Sequence, residues 1–271
     1  MKIGVIAAIH RYPVKSMMGE DLNAVRIGTR GVLGDRVFAL TDPATGKIAS
    51  AKNPSKWPAL FSFRAAFVQP PEENGALPHA RITFPDGSAV TTGDERIESK
   101  LSASLGKPVK FSGAPGAGTL EEYWPDIDGL ARRDVVTDEA MPAETFFDCA
   151  AIHFLTTATL DSLRGFNPGG RFESRRFRPN LVIETPPGVK GFPENDDWSE
   201  KILAIGGTVK LKITGPCGRC VMTTLPQGDL PKDIGILKTA AQHNQARVGA
   251  YASVLQTGGI LRGDPVLLES S

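Results

Sequence analysis

The chain has 271 residues, 41% hydrophobic and 23% charged, values close to globular averages that argue against disorder or a membrane protein. Its 31 basic and 30 acidic residues leave a net charge of +1, so no overall field attracts nucleic acid or anionic lipid, and any anion site has to be local. With 29 glycines and 21 prolines set between short apolar runs, the composition points to many short strands and turns.

The apolar opening at residues 3–9 is broken by Gly4 and followed by His10 and Arg11. It is too short to cross a bilayer and lacks the flanks of a signal peptide, so it reads as the first strand of a cytoplasmic protein. Further strands are expected at 22–27, 36–40, 47–51 and 60–68, punctuated by Gly31, Gly34 and the turn from Asp42 to Gly46. A hairpin at 81–91 turns through Pro85, Asp86 and Gly87. Asp94 then caps a helix running to about Leu105 and stopped by Gly106. Residues 113–118, rich in glycine and alanine, read as a link.

A second region starts near Asp134. It carries strands at 149–155, 180–184, 201–205, 208–214, 247–255 and 260–268, a helix capped by Thr156 or Thr157 and ended by Gly165, and a helix around 233–242. Residues 221–225 read as a strand emerging from the loop Gly215-Pro216-Cys217-Gly218-Arg219-Cys220. The sum is a mainly β (α+β) protein. A β-barrel region with a few packed helices, residues 119–271, is preceded by a smaller β-rich region, residues 1–112.

Five segments join special backbone to reactive or anion-binding side chains. Lys15 and Ser16 follow Pro13 and offer an ammonium and a hydroxyl side by side, which suits a phosphate, although Lys15 alone would be an ordinary solvated charge. Arg36 follows a glycine turn and can clamp a phosphate with its planar fork or pair with Asp35. Thr156 and Thr157 open a helix whose N-terminal N–H groups attract anions, though most such pairs only cap. Arg175, Arg176 and Arg178 crowd the approach to Asn180 and a strand, which suits either a bound anion or a solvated basic edge.

The fifth segment is Cys217-Gly218-Arg219-Cys220. Such spacing serves half a zinc site, a redox disulfide or one activated thiolate. No second Cys-x-x-Cys completes a zinc site, and the strand-like residues after the motif disfavour a thioredoxin arrangement. A lone thiolate favoured by Arg219 is left beside the ever-present option of an inert buried cysteine. Three cysteines, at 149, 217 and 220, do not suit a disulfide framework.

These segments, in this order, resemble the MOSC family (molybdenum cofactor sulfurase C-terminal). Tyr12-Pro-Val-Lys-Ser16 and Gly34-Asp-Arg36 resemble the β-barrel region that precedes a MOSC domain. Arg176-Phe-Arg-Pro-Asn180, residues 194–198, Cys217-Gly-Arg-Cys220 with Met222-Thr-Thr224, and Gly263-Asp-Pro-Val266 resemble the MOSC domain itself. Within the family the two-part architecture looks most like the amidoxime-reducing component known from mitochondria and its bacterial relatives. The resemblance implies a molybdenum cofactor, Mo-molybdopterin, with the metal bound by one pterin dithiolene and one protein cysteine. By position that cysteine is Cys220, and Cys217 is a variable neighbour. Phosphate contacts carry over to Lys15, Ser16 and Arg36, and pterin contacts to Thr157, Arg178 and Asn180, with Thr156, Arg176 and Arg219 in the same cofactor-binding set. The implied activity is reduction of small N-hydroxylated compounds. Electrons would come from a separate ferredoxin- or cytochrome-type donor protein, because the chain shows neither the ferredoxin domain of one bacterial branch nor the membrane anchor of the mitochondrial form. The alternative is a sulfur or cofactor carrier that uses Cys220 as persulfide or delivery thiolate, without a pyridoxal-phosphate domain of its own.

Overall fold

The computed structural model describes residues 1–113, 118–142 and 146–270, so the expected link at 113–118 falls largely outside the described residues. The first part of the chain forms β1 (Lys2–Arg11), β2 (Glu20–Leu22), β3 (Ala24–Gly28), β4 (Gly31–Val32), β5 (Phe38–Thr41), β6 (Arg64–Phe67), β7 (Ala80–Thr83), β8 (Ala89–Thr91), α1 (Ile97–Leu105) and β9 (Lys110–Gly113). A hairpin of β10 (Thr119–Trp124) and β11 (Val135–Ala140) follows. The second part forms β12 (Ile152–Thr156), α2 (Thr157–Phe166), α3 (Ser174–Phe177), β13 (Leu181–Glu184), α4 (Pro193–Asp196), β14 (Ile202–Ile205), β15 (Val209–Gly218), α5 (Gly235–Asn244), β16 (Arg247–Gln256), β17 (Gly258–Leu261) and β18 (Pro265–Glu269). Among the described residues no helix is long and apolar enough to cross a membrane.

Seven strands close a barrel in the order β13, β12, β16, β15, β14, β18 and β1, with β1 returning to pair with β13 and β2 continuing outward from β1. Only β12 and β13 run parallel in this ring, and α2 and α3 lie on the crossover between them. Closure leaves no free edge on the ring, and inward residues such as Ile6, Phe154, Ile183, Leu211 and Val266 fill it with a continuous apolar core. One barrel strand therefore comes from the far N-terminus: β1 sits between β13 and β18 and is not in a sheet with β5 to β9. Gly4 makes that fit possible, because a Cβ there would stand 2.1 Å from the Glu184 carbonyl oxygen.

A second core lies under β5 to β9 and α1. Val14, Met17, Phe38, Leu60, Phe63 and Leu101 are buried there, together with Met222 and Leu225 from the distal half of the chain. Residues 220–225 thus leave the barrel rim and plug into the N-terminal core while Cys217 and Gly218 still belong to β15, which places the Cys-x-x-Cys segment at the seam. A third apolar cluster packs α2 and α5 on the outside of the barrel through Leu160, Leu163, Ile236 and Ala240.

Several local expectations need correction. Residues 221–225 do not form a strand: Val221–Thr224 is a single turn of 3-10 helix. The hydroxyls of Thr223 and Thr224 donate back to the carbonyls of Cys220 and Val221 at 3.1 and 2.8 Å, which tightens the chain into a turn that β-branched composition alone would not suggest. Residues 47–51 contribute only an isolated bridge at Ile48, between Thr41 and Leu120. The run at 260–268 is broken at Gly263, whose φ of 89° reverses the chain, so β17 pairs with β3 while β18 joins the barrel. The hairpin β10–β11 was not expected at all.

Candidate functional site

A cleft of about 760 Å³ opens at the seam. Of the residues singled out in the sequence, Lys15, Ser16, Arg36, Arg178, Asn180, Arg219 and Cys220 all line it. They arrive from four places: the turn after β1, the turn after β4, the α3–β13 junction and the end of β15. Five of the seven described non-glycine residues with positive φ, namely Ser16, Arg36, Arg178, Gln245 and Ala246, line this one cleft. Left-handed backbone costs these residues ~1 kcal/mol or more each and persists where the surroundings over-determine it, which is the usual signature of a functional site.

The α3–β13 junction shows how local geometry sorts a run of like charges. Arg175 stays half-exposed and pairs with Glu173 and Asp229 at 2.6 Å each. Arg176, fully buried, turns inward. Arg178, left-handed with φ of 53°, reverses the chain so that its guanidinium enters the cleft, stacked 4.1 Å over the Tyr12 ring and donating to Met17 O at 2.8 Å. Burial lowers the Arg178 pKa to about 10, and it remains a cation at neutral pH.

Asp35 organises the neighbouring wall. Its carboxylate accepts from Tyr12 N at 2.7 Å, from Asn180 Nδ2 at 3.1 Å and from the Arg36 guanidinium. Asn180 in turn accepts from His153 N at 3.1 Å, so one carboxylate fixes the pose of two cleft residues. Lys15 Nζ donates to Phe146 O at 2.8 Å and Asp148 Oδ1 at 2.7 Å, leaving one of its donors for a ligand. Burial pulls the Lys15 pKa down against the pull of Asp148. For Asp148, burial favours the neutral acid, but Lys15, Lys52 and Arg36 outweigh it and hold the carboxyl below its ordinary range.

The thiols divide their roles. Arg219 Nη1 lies 2.6 Å from Cys217 Sγ, so the guanidinium that the sequence suggested for Cys220 sits on its neighbour. Burial opposes ionisation of Cys217, yet Arg219, His153 and Tyr251 overcome it and bring its pKa down to about 6. Tyr251, on β16 opposite His153 on β12, keeps its proton and donates. Gly249 lets this cluster assemble, since a Cβ there would lie 2.4 Å from His153 Nε2. Burial and then Glu122 push Cys220 the other way, to about 12, against the opposing fields of Lys52 and Arg219.

A pH experiment tests the buried thiolate. The Cys217 pKa is depressed on folding, so its stabilisation is fully present above the unfolded thiol's ordinary range and is lost as pH falls through about 6. The stability gap between the native chain and Cys217→Ser, from urea unfolding, is therefore expected to widen from about pH 6 to pH 9, by up to ~1.4 kcal/mol per pH unit. A gap independent of pH would show that Cys217 stays protonated.

Three other singled-out residues stand apart from the cleft. Thr156 caps α2 by accepting from Thr159 N at 3.2 Å and donates to the buried Glu194 at 2.8 Å. Thr157 exchanges hydrogen bonds with Thr185. Arg176 donates to the carbonyls of Arg171, Thr223, Leu225 and Pro231. Conversely, Lys52, Glu122, Trp124, Asp148, His153 and Tyr251 line the cleft without a signal in the sequence, because each is a single residue whose partners lie far along the chain.

The donor set suits a large anionic group that brings its own metal ligands. Lys15, Arg36, Lys52, Arg178 and Arg219 face Glu122, Glu139 and Asp148, which leaves an excess of positive charge. Arg219 Nε is buried with no hydrogen-bond partner. Among the described residues no group of three or more His, Cys, Asp or Glu could hold a bare metal ion, and Cys220 offers one soft donor at the cleft wall.

A closed barrel with a cationic, thiol-bearing cleft at its rim matches two family descriptions in chain order: MOSC N-terminal beta barrel domain over residues 3–113 and MOSC domain over residues 142–267. The chain belongs to the MOSC family. It is similar to mitochondrial amidoxime reducing component 2 of Rattus norvegicus, 24% identical across 98% of this chain and 83% of that protein. It is also similar to the molybdenum cofactor sulfurase of Homo sapiens, 23% identical across 90% of this chain and 29% of that protein. Among solved structures, the YUAD protein from Bacillus subtilis aligns with 99% of this chain and 96% of its own at 10% identity and a TM-score of 0.49.

Proposed function

We propose that this protein is a molybdenum-cofactor-dependent reductase of small N-hydroxylated compounds, with Cys220 as the protein ligand to molybdenum and electrons supplied by a separate donor protein. The observation that carries this reading is the Cys220 thiol, held at the start of the turn after β15 and lining, with Cys149, a cleft that has an excess of cations, in a chain whose full-length relatives include amidoxime reducing components. The net reaction consumes two electrons and two protons, turning an N–OH into an N–H and water. The bound cofactor supplies the two-electron redox chemistry.

The protein's own residues do the holding. Lys15, Ser16 and Arg36 take the cofactor's phosphate end, and Arg178, Asn180 and Arg219 take its polar ring system. Cys220 gives up its proton on ligation, helped by Lys52 and Arg219. Thr156, Thr157 and Arg176 have their polar atoms committed elsewhere and act only in support of the surrounding elements.

Near-stoichiometric molybdenum in protein from a cofactor-producing host, with reduction of benzamidoxime by an artificial donor, is the expected result. The similarity to a cofactor sulfurase favours a second reading, a sulfur or cofactor carrier. A persulfide in place of molybdenum, with no turnover, would establish that reading and sink the reductase. Within the reductase reading, Arg178→Ala is expected to lower cofactor retention on gel filtration at least about tenfold more than Arg175→Ala, since only Arg178 enters the cleft. Equal retention in both variants would remove Arg178 from the cofactor site.

A further inference from the structure

The hairpin β10–β11 lies between the two segments matched by the family models, 3–113 and 142–267, and belongs to neither. It nevertheless builds one wall of the cleft through Glu122, Trp124, Leu130, Ala131 and Glu139. That wall differs in kind from the one opposite. Its two arginines do not line the cleft: Arg132 reaches Glu139 at 3.4 Å with its guanidinium 5.9 Å from the centre of the Trp124 ring, and Arg133 pairs with Asp126 and Asp128 at 2.6 Å each. Besides the carboxylates Glu122 and Glu139, which are engaged by Lys52 and by Thr137 and Arg132 respectively, the hairpin gives the cavity Trp124, Leu130 and Ala131, continued by the apolar Phe147 and Met222.

The wall is also fixed in place. Lys52 donates to Glu122 at 2.9 Å, Lys47 to Asp138 at 2.6 Å, and Lys56 to Glu121 at 3.3 Å, so three lysines of the N-terminal region fasten the hairpin. The indole is set by the partner strand: Trp124 Nε1 donates to Thr137 Oγ1 at 2.9 Å, and that hydroxyl donates to Glu139 at 2.7 Å. A held indole on the lining of a cationic cleft discriminates ligands by their ring, whereas the cations select charge and orientation.

We propose that the β10–β11 hairpin is the substrate-discriminating wall of the cleft, with Trp124 the platform for a planar aromatic ring, so that aromatic N-hydroxylated compounds are preferred over small aliphatic ones. The proposal rests on the reductase reading, and its test has an arm that does not. In the turnover arm, holoprotein and its Trp124→Ala and Trp124→Phe variants are compared with benzamidoxime and acetamidoxime. Trp124→Ala is expected to lower the ratio of kcat/KM for benzamidoxime over acetamidoxime about tenfold, at unchanged molybdenum content, and Trp124→Phe to restore most of it.

The binding arm uses the non-reducible products benzamidine and acetamidine and reads indole fluorescence. Trp57 and Trp198 are 4% and 6% exposed, so Trp124 is the indole that a cleft ligand can reach. Benzamidine is expected to quench it at concentrations where acetamidine does not. An unchanged kcat/KM ratio in Trp124→Ala, equal quenching by the two amidines, or loss of molybdenum from the variant would each overturn the proposal, the last by assigning the wall to the cofactor. Absence of turnover together with ring-selective quenching would sink the reductase reading and leave the wall standing.

Discussion

Cys220→Ala is expected to lose molybdenum to background, at least ~100-fold below the native chain by elemental analysis of purified protein, while Cys149→Ala and Cys217→Ala keep most of it. The argument is one of position and charge. Cys220 lies where β15 has ended and the 3-10 turn begins, and Met222 and Leu225 pin that turn into the N-terminal core. Its thiol therefore faces the cleft from a rigid mount. Burial raises its pKa to about 12, so without a metal the sulfur carries its proton throughout the neutral range. A cation replacing that proton relieves the penalty, and because ligation releases the proton, metal uptake should strengthen by up to about tenfold for each unit that pH rises toward that value. Cys217 is the contrasting case. Its charge is already neutralised by Arg219, it is 1% exposed and it does not line the cleft, so it acts there only through Arg219, His153 and Tyr251. Full molybdenum in Cys220→Ala with loss in Cys217→Ala would move the thiolate ligand to Cys217.

Arg176→Ala is expected to destabilise the fold by about 3–5 kcal/mol in urea unfolding, against ~0–1 kcal/mol for Arg175→Ala. Among the described residues Arg176 is the largest side chain with no exposure, and none of their carboxylates forms an ion pair with it. Four carbonyls share its guanidinium instead, two of them from Thr223 and Leu225 in the segment just after Cys220. Truncation leaves the Thr223 and Leu225 carbonyls buried and unpaired, at ~1–3 kcal/mol for each that water cannot reach. The same truncation frees the turn that mounts Cys220, so alkylation of Cys220 in metal-free protein should accelerate in Arg176→Ala and not in Arg175→Ala. Equal stability of the two variants would show that the carbonyls find other donors.

Much of this was legible because it is written locally. The hairpin through Asp86-Gly87, the Thr156 cap, the Gly106 stop on α1 and the apolar strands of the barrel each depend on residues within a few positions of one another. The clustering of Lys15, Ser16, Arg36, Arg178, Asn180, Arg219 and Cys220 is not local in this sense: it followed from the family resemblance, which also drew in Thr156, Thr157 and Arg176, and those three stand apart from the cleft. What stayed hidden was set by distant partners. The resemblance pointed to Arg178 and also took in Arg176, but three arginines within four positions do not by themselves announce that one left-handed residue sends Arg178 into the cleft and leaves Arg176 on backbone carbonyls. The pairing of Arg219 with Cys217 is decided by His153 and Tyr251, 64 and 34 residues away, which lower the competing thiol instead. The β10–β11 hairpin, with Glu, Asp and Tyr in its strands, lacks a clean apolar alternation and takes its stability from lysines in the N-terminal region.

The placement of β1 has a further effect on how the molecule is made. Of the barrel strands it is synthesised first, and β2 can pair with its far end at once, yet its neighbours in the ring are residues 181–184 and 265–269, so it is not enclosed on both sides until residues 265–269 are available. Ring closure is accordingly a late, long-range event, of the kind that slows folding and leaves strand edges open to other chains while it is pending. Separating the halves at the family boundary would make that state permanent: residues 114–271 would carry six strands of a seven-strand ring, with β13 and β18 both unpaired toward the gap. The cleft at the seam is thus formed in the same step that seals the barrel, and a chain able to hold its cofactor is one whose two ends have already met.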